Sequence, residues 1–246
     1  MRLGDTVRSV VALPGIPAGT AGTVTEIGSP FIAVQFGDGR VGYYARRQLR
    51  SQLATADPDL PSEISLGFTP EVLPAGSHLC CLPATGAEML STCFGYLAAG
   101  LRAGERCFCF ASPRWAATVR RLFATDGHRH WLDSGDLSFV DVRDIYLPPA
   151  EFTADKQLAR AERALASATG RTRVFGRPGA CYREAPAEEW WDYEMRMTRV
   201  LGEMGASAIC AYDPTEQRRG GARQAELTHP FVVRNREIVP GSASYV

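Results

Sequence analysis

Along residues 73–246, short apolar runs alternate with stretches whose apolar positions recur every three or four residues. This alternation predicts an α/β fold, a mainly parallel sheet with helices on both faces. The runs are "HLCCL" (78–82), "ERCFCFA" (105–111), "LSFVDV" (137–142), "TRVFG" (172–176) and "SAICAYD" (207–213). Between the first two, Leu90, Phe94, Leu97 and Leu101 keep helical spacing, and Gly104 suits the position after a helix end. Further helices are predicted over 114–125, over 154–168 behind Thr153, from Pro186 onward and near 215–228. The helix after Pro186 offers Trp190, Tyr193, Met197, Val200 and Leu201 for burial, and "FVVRNREIV" closes the chain as a hairpin turning at Asn235-Arg236.

Residues 1–51 follow a different pattern. "DTVRSVVAL", "GTAGTVTEI" and "FIAVQFGDGRVGYYA" are short strand-like runs, and Asp38-Gly39 is suited to the positive φ angles of a type I′ hairpin turn. The segment resembles the SH3-like β-barrels of translation factors and ribosomal proteins. Residues 52–72 carry three prolines and no sustained period, which reads as a linker. The expected organisation is therefore a small barrel (1–51), a linker (52–72) and an α/β domain (73–246).

Composition narrows the classes of function. A chain of 246 residues with 45% apolar composition can bury one medium core plus a small satellite. Lys+Arg and Asp+Glu both number 27, so no long phosphate-tracking surface is expected, and nucleic acid is not an expected partner. Neither a leader-like apolar core nor a run of membrane-spanning length is present, and the protein is expected in the cytoplasm, away from membranes. The seven cysteines are then expected to be reduced.

The loop after the first run, Pro83-Ala84-Thr85-Gly86-Ala87-Glu88-Met89, has the outline of a phosphate-binding turn without its lysine. A carboxylate at ~4 Å from a bound phosphate would be repelled by roughly 4 kcal/mol at an effective dielectric of about 20. Binding of ATP is not expected, and neither is any other cofactor. Cys80 and Cys81 point to opposite faces of their strand, while Cys107 and Cys109 share a face but lie ~6.5–7 Å apart, awkward for a zinc site. No metal site is expected. Catalytic signatures such as G-x-S-x-G, H-E-x-x-H or paired C-x-x-C are missing, so enzyme activity would need an unrecognised arrangement such as Cys210 with a histidine. Cys210 and Tyr212 should share one face of their strand, opposite Ile209 and Ala211. Ligands in parallel sheets gather beyond the carboxyl ends of strands, which favours Cys210, Tyr212 and Asp213 and places His78 at the opposite rim. Glu194 is either a buried network partner or an exposed charge.

The second half resembles the MEDS family of sensory domains. The resemblance rests on "GSHLC" (76–80), "YLAAGLRAGERCFCFA" (96–111), "YLPPAEFTAD" (146–155), "WWDYEMRM" (190–197), "AICAYD" (208–213) and "THPFVV" (228–233). It implies a degenerate RecA/KaiC-like domain that no longer binds nucleotide and senses a small, apolar organic ligand. Taken with the strand-end geometry, the candidate ligand-binding residues are His78, Cys80, Glu194, Cys210, Tyr212, Asp213 and His229. Two segments depart from the family pattern, Arg177-Pro178 and "PTEQRRGG" (214–221). The function expected is a regulatory sensor that binds such a ligand and signals to a protein partner. The alternatives are a protein-interaction scaffold and a cysteine-dependent enzyme.

Overall fold

The structure is a computed structural model, described for residues 6–9, 21–27, 31–37, 39, 41–45, 53–55, 63–125, 127–166, 171–216 and 220–242. The chain divides into two units, one of residues 1–62 with 202–205, the other of 63–201 and 206–246.

In the first unit, β1 (Thr6–Ser9), β2 (Ala21–Ile27), β3 (Phe31–Phe36), β4 (Val41–Ala45) and β5 (Leu53–Thr55) form one antiparallel sheet in the order β4-β3-β2-β1-β5. Val24, Val34 and Phe36 are buried while Thr23, Thr25 and Gln35 are exposed, the alternation of a sheet with one covered face. Asp38 of the expected hairpin turn lies outside the described residues; Gly39 has φ +82° and donates its N–H to the Phe36 carbonyl.

The second unit is built on β8 (His78–Cys81), β9 (Arg106–Ala111), β10 (Leu137–Asp141), β11 (Thr172–Gly176), β12 (Ala206–Ala211), β13 (Phe231–Arg234) and β14 (Glu237–Pro240). Their order is β10-β9-β11-β12-β8-β13-β14; every neighbouring pair is parallel except the terminal hairpin β13-β14. That hairpin turns at Asn235 and Arg236, both with positive φ (50° and 65°), as the sequence predicts. One face of the sheet is covered by α1 (Gly86–Arg102), α2 (Pro113–Thr125) and α3 (His130–Asp133), which bury Cys93, Leu97, Val119, Phe123 and Trp131 against Leu79, Cys81, Cys107 and Ile209. The other face carries α4 (Val142–Ile145), α5 (Ala154–Ala166), α6 (Ala180–Glu184), α7 (Ala187–Met204) and α8 (Gly221–Thr228), packed through Trp190, Tyr193, Tyr182 and Ala225 onto Cys80, Val174, Cys210 and Val232. No helix among the described residues is long and apolar enough to cross a membrane.

Three departures from the sequence reading have physical causes. The helix expected from 215 starts at Gly221: the Asp213 carboxylate accepts from the Thr215 backbone N–H and hydroxyl, and this local turn competes with helix. β12 ends at Ala211; the Tyr212 N–H makes a last bond to the Cys81 carbonyl (2.9 Å), and Asp213 leaves the ladder ahead of Pro214. Within the stretch read as linker, Leu53–Thr55 pairs with β1, and β6 (Glu63–Ser65) pairs with β7 (Val72–Pro74). The β6-β7 ladder buries Ile64, Leu66, Phe68 and Leu73 with the residues of α1. At this contact Gly67 (φ +74°) meets Gly95: a Cβ on Gly67 would lie 2.2 Å from the Gly95 carbonyl oxygen. Two strands of three residues carry one core-facing side chain apiece, too little period for a sequence to announce.

Candidate functional site

The loop between β8 and α1 explains how a helix start lacking phosphate is satisfied. Thr85 N-caps α1 by accepting from the Glu88 N–H (3.1 Å), and Glu88 Oε2 reaches back to accept from the Ala84 N–H (2.8 Å). This is a reciprocal cap of the capping-box type. The carboxylate expected to repel phosphate therefore occupies the Ala84 amide, which would otherwise be open to an anion.

On the opposite face of the sheet, the residues of the "GSHLC", "WWDYEMRM", "AICAYD" and "THPFVV" stretches converge. β8 lies beside β12 with His78 opposite Ala208, so Cys210, two residues on, shares the face of His78. The helical period of α7 turns Trp190, Tyr193, Glu194 and Met197 toward that face. His229 is the residue that follows α8, in extended conformation. The side chains of His78, Glu194 and His229 have no exposed surface, and Cys210 is buried.

One atom from each of His78, Glu194, Cys210 and His229 lies within 4.8 Å of the others. Glu194 Oε2 is 3.4 Å from His78 Nε2 and 3.3 Å from His229 Nε2, and Cys210 Sγ is 3.5 Å from His78 Nε2. The two imidazole rings are 4.2 Å apart between centroids. A supporting set of groups orients the four. His229 Nδ1 lies 2.9 Å from the Ala225 carbonyl, which can only accept, so Nδ1 is placed to donate there. His78 Nδ1 lies 3.0 Å from Thr198 Oγ1. Glu194 Oε1 accepts from the Tyr212 hydroxyl (2.8 Å), which accepts from Trp190 Nε1 (3.2 Å).

Burial, and then the neighbouring His229, push the His78 imidazole down to about 4 against the pull of Glu194. For Glu194, burial favours the neutral acid, but the contacts to His229 and His78 prevail and hold it below the usual carboxylate range. Burial and the Glu194 charge raise the Cys210 thiol well above its ordinary value.

Four of the residues singled out in the sequence thus meet, and Tyr212 joins them through its hydroxyl. Cys80 shares the face and lies opposite Cys210 in the ladder, its thiol raised chiefly by burial. Asp213 stands apart, ion-paired to Arg177 (2.8 Å), which also reaches Glu216 (3.1 Å). The unusual Arg177 therefore has a structural partner at the ends of β11 and β12. The cluster lies on the sheet face beneath α7, whereas Asp213 stands at the strand ends. Glu194 is resolved as a buried network partner. Thr198 and Trp190 were not singled out for the site; Thr198 lies one helical turn beyond Glu194, the only signal that could have drawn attention to it.

Outside this cluster, α7 and α8 bound a groove of about 590 Å³, lined by Trp191, Asp192 and Met195 on one side and Gln224, Leu227 and Thr228 on the other, with Tyr182 and Glu188. Thr228 Oγ1 is 3.1 Å from His229 Nδ1, and the Tyr182 and Trp191 rings lie 5.2 and 5.8 Å from that of Tyr212. The groove wall is thus in direct contact with groups that orient the cluster.

No curated protein matches the chain. A family model described as the methanogen/methylotroph, DcmR sensory domain matches residues 77–230, well over half of the chain and every element that supplies the cluster. The chain belongs to this family of sensory domains, MEDS.

Proposed function

We propose that this MEDS domain senses a small, mostly apolar organic molecule that seats in the groove between α7 and α8. The observation that carries the reading is the contact between groove wall and buried cluster through Thr228, Tyr182 and Trp191. A ligand that displaces Trp191 or Thr228 changes the packing around Tyr212 and His229, and so reaches the groups around Glu194. Exposed Met195 and Leu227 supply apolar contact, and Glu188, Asp192 and Gln224 supply polar selectivity. The strand order of the second unit supports the degenerate RecA/KaiC-like reading, and the self-capped start of α1 supports the absence of nucleotide. The first unit is read as a small SH3-like barrel through which, with a protein partner in the cytoplasm, the ligand state is passed on.

The Cys210–His78 contact also brings the cysteine-enzyme reading into view. A catalytic cysteine requires a lowered pKa and access to substrate, whereas Cys210 is buried and its thiol is raised by burial and by Glu194. These features favour the sensory reading.

Thermal-shift screening of short-chain halogenated, aliphatic and aromatic compounds tests it. A binder at a hundredfold excess over its Kd stabilises the native state by about 2.7 kcal/mol. Met195→Glu and Leu227→Glu, both at exposed positions, are expected to leave the unliganded Tm within about 1 °C of the parent and to abolish the ligand-induced rise. A hit whose response survives both substitutions places the ligand elsewhere and overturns the groove assignment.

A further inference from the structure

We propose that His78, Glu194, Cys210 and His229 form a buried four-ligand site for a borderline divalent transition-metal ion of the zinc class. The ligand type, one thiolate, two imidazoles and one carboxylate, is the mixed N/S/O set that zinc and cobalt accept.

Geometry carries the argument. With metal–nitrogen and metal–oxygen bonds of about 2.0–2.1 Å and a metal–sulfur bond of about 2.3 Å, a tetrahedral site has N···O edges of about 3.3 Å and N···S edges of about 3.6 Å. The protein shows N···O separations of 3.3 and 3.4 Å and an N···S separation of 3.5 Å. The remaining pairs lie within 4.8 Å, so the ion draws in only the wider edges. The two N···O separations are long for charge-assisted hydrogen bonds, which run at about 2.7–2.9 Å. Consistent with this, His229 Nε2 and Glu194 Oε2 are buried atoms without a hydrogen-bond partner. His229 Nδ1 is taken up by the Ala225 carbonyl, which leaves Nε2 as the ring nitrogen facing Glu194 Oε2 at 3.3 Å. A buried ring nitrogen and a buried carboxylate oxygen left without hydrogen bonds at this separation are both satisfied by a cation bound between them.

The surroundings are those of a ligand set already oriented. Metal-bound histidines donate their second ring nitrogen to a carbonyl or another oxygen, as His229 does to Ala225 and His78 can to Thr198 Oγ1. The carboxylate is held by Tyr212, itself held by Trp190. All four positions come from protein and are buried, the closed arrangement of a structural ion. Binding breaks the Cys210 S–H bond and forms a metal–sulfur bond; the proton leaves to solvent, and thiolate plus carboxylate balance the two positive charges.

Cobalt(II) added to chelator-treated full-length protein tests the proposal, with metal content measured by mass spectrometry. The expected result is one ion per chain, the visible d–d absorption of tetrahedral cobalt and a thiolate-to-cobalt charge-transfer band. Cys210→Ser is expected to remove the charge-transfer band, whereas Cys81→Ser, a thiol on the opposite sheet face, retains it. Tyr212→Phe, which removes only the hydroxyl holding Glu194, is expected to weaken cobalt binding about 10- to 100-fold, the usual cost of losing such an orienting group. Absence of stoichiometric cobalt binding overturns the site, as does a charge-transfer band that persists in Cys210→Ser. Circular dichroism of each variant identifies loss of fold; should Cys210→Ser not fold, Tyr212→Phe decides, and unchanged affinity there overturns the proposal. Met195→Glu and Leu227→Glu leave cobalt binding intact, so failure of the groove assignment and failure of the metal site are read separately.

Discussion

Arg173 shows how much one buried charge can organise. Its guanidinium makes two hydrogen bonds to the Glu105 carboxylate (2.7 and 3.1 Å) and donates to the carbonyls of Ser65 (2.7 Å) and Tyr96 (3.0 Å). It also lies 4.7 Å from the centre of the Tyr96 ring. One side chain thus joins β11, α1 and β6, with all but the planar geometry of arginine excluded by the fork to Glu105. Arg173→Met is expected to cost about 3–5 kcal/mol, because it leaves the buried Glu105 carboxylate without its two hydrogen bonds from Arg173 and with only the longer contact to Arg171 (3.9 Å). Arg173→Met with Glu105→Leu is expected to recover a large part of that loss. Urea unfolding of the two single variants and the double variant measures the coupling; simple additivity would show that the pair contributes nothing as a pair. The sequence marks neither residue, since an arginine within "TRVFG" reads equally well as an exposed position on an edge strand.

At the scale of elements, the strands sort the cysteines between two faces by simple alternation. Cys81 and Cys107 lie in the core beneath α1 and α2, where Cys93 of α1 joins them, while Cys80 and Cys210 face α7. Burial raises the first group: Cys81 to about 12, with a further push from Glu88; Cys107 also to about 12, despite Arg173; and Cys93 well above its ordinary value. An unfolded thiol ionises near 9, so between pH 9 and about 12 the native state binds more protons than the unfolded chain. Stability is then full below pH 9 and falls as pH rises, by up to about 1.4 kcal/mol per unit for each such thiol. Urea midpoints measured from pH 8 to 10.5 are expected to decline with this slope. Cys81→Ala is expected to flatten the slope, whatever it costs at neutral pH; parallel curves for parent and variant would show that Cys81 is not among the protonated buried thiols. This face assignment was legible in the sequence, because a strand's period of two needs no tertiary knowledge.

For the whole molecule, the boundary of the α/β domain is the feature most sensitive to packing. A start at residue 73 removes β6, the partner of β7, together with Ile64, Leu66 and Phe68, which are 3%, 0% and 5% exposed. At roughly 1.5–3 kcal/mol per fully buried apolar side chain, that loss rivals the entire stability of an ordinary domain. It also removes the Ser65 carbonyl from Arg173. A fragment of residues 63–246 is therefore expected to unfold cooperatively in urea, whereas residues 73–246 are expected to unfold at a much lower midpoint or without a sharp transition. Equal midpoints would support the boundary at 73 and reduce the β6-β7 ladder to a surface attachment.

What the sequence by itself determined is whatever depends on neighbours along the chain. The strands of the seven-stranded sheet, the helix between β8 and β9, the turn at Asn235-Arg236 and the division of side chains between faces all follow from periodicity and backbone chemistry. The order β9-β11-β12-β8-β13, by contrast, was decided in three dimensions, by which strand edges and helix faces pair most completely. That order sets His78 beside Cys210, lays Glu194 over both and returns His229 after the last helix. No local spacing in the sequence encodes this meeting, since the four residues come from four elements and their separations along the chain reflect the lengths of intervening helices. The Gly67–Gly95 approach is decided in the same way: it depends on how closely two backbones come together, a distance that no run of residues records.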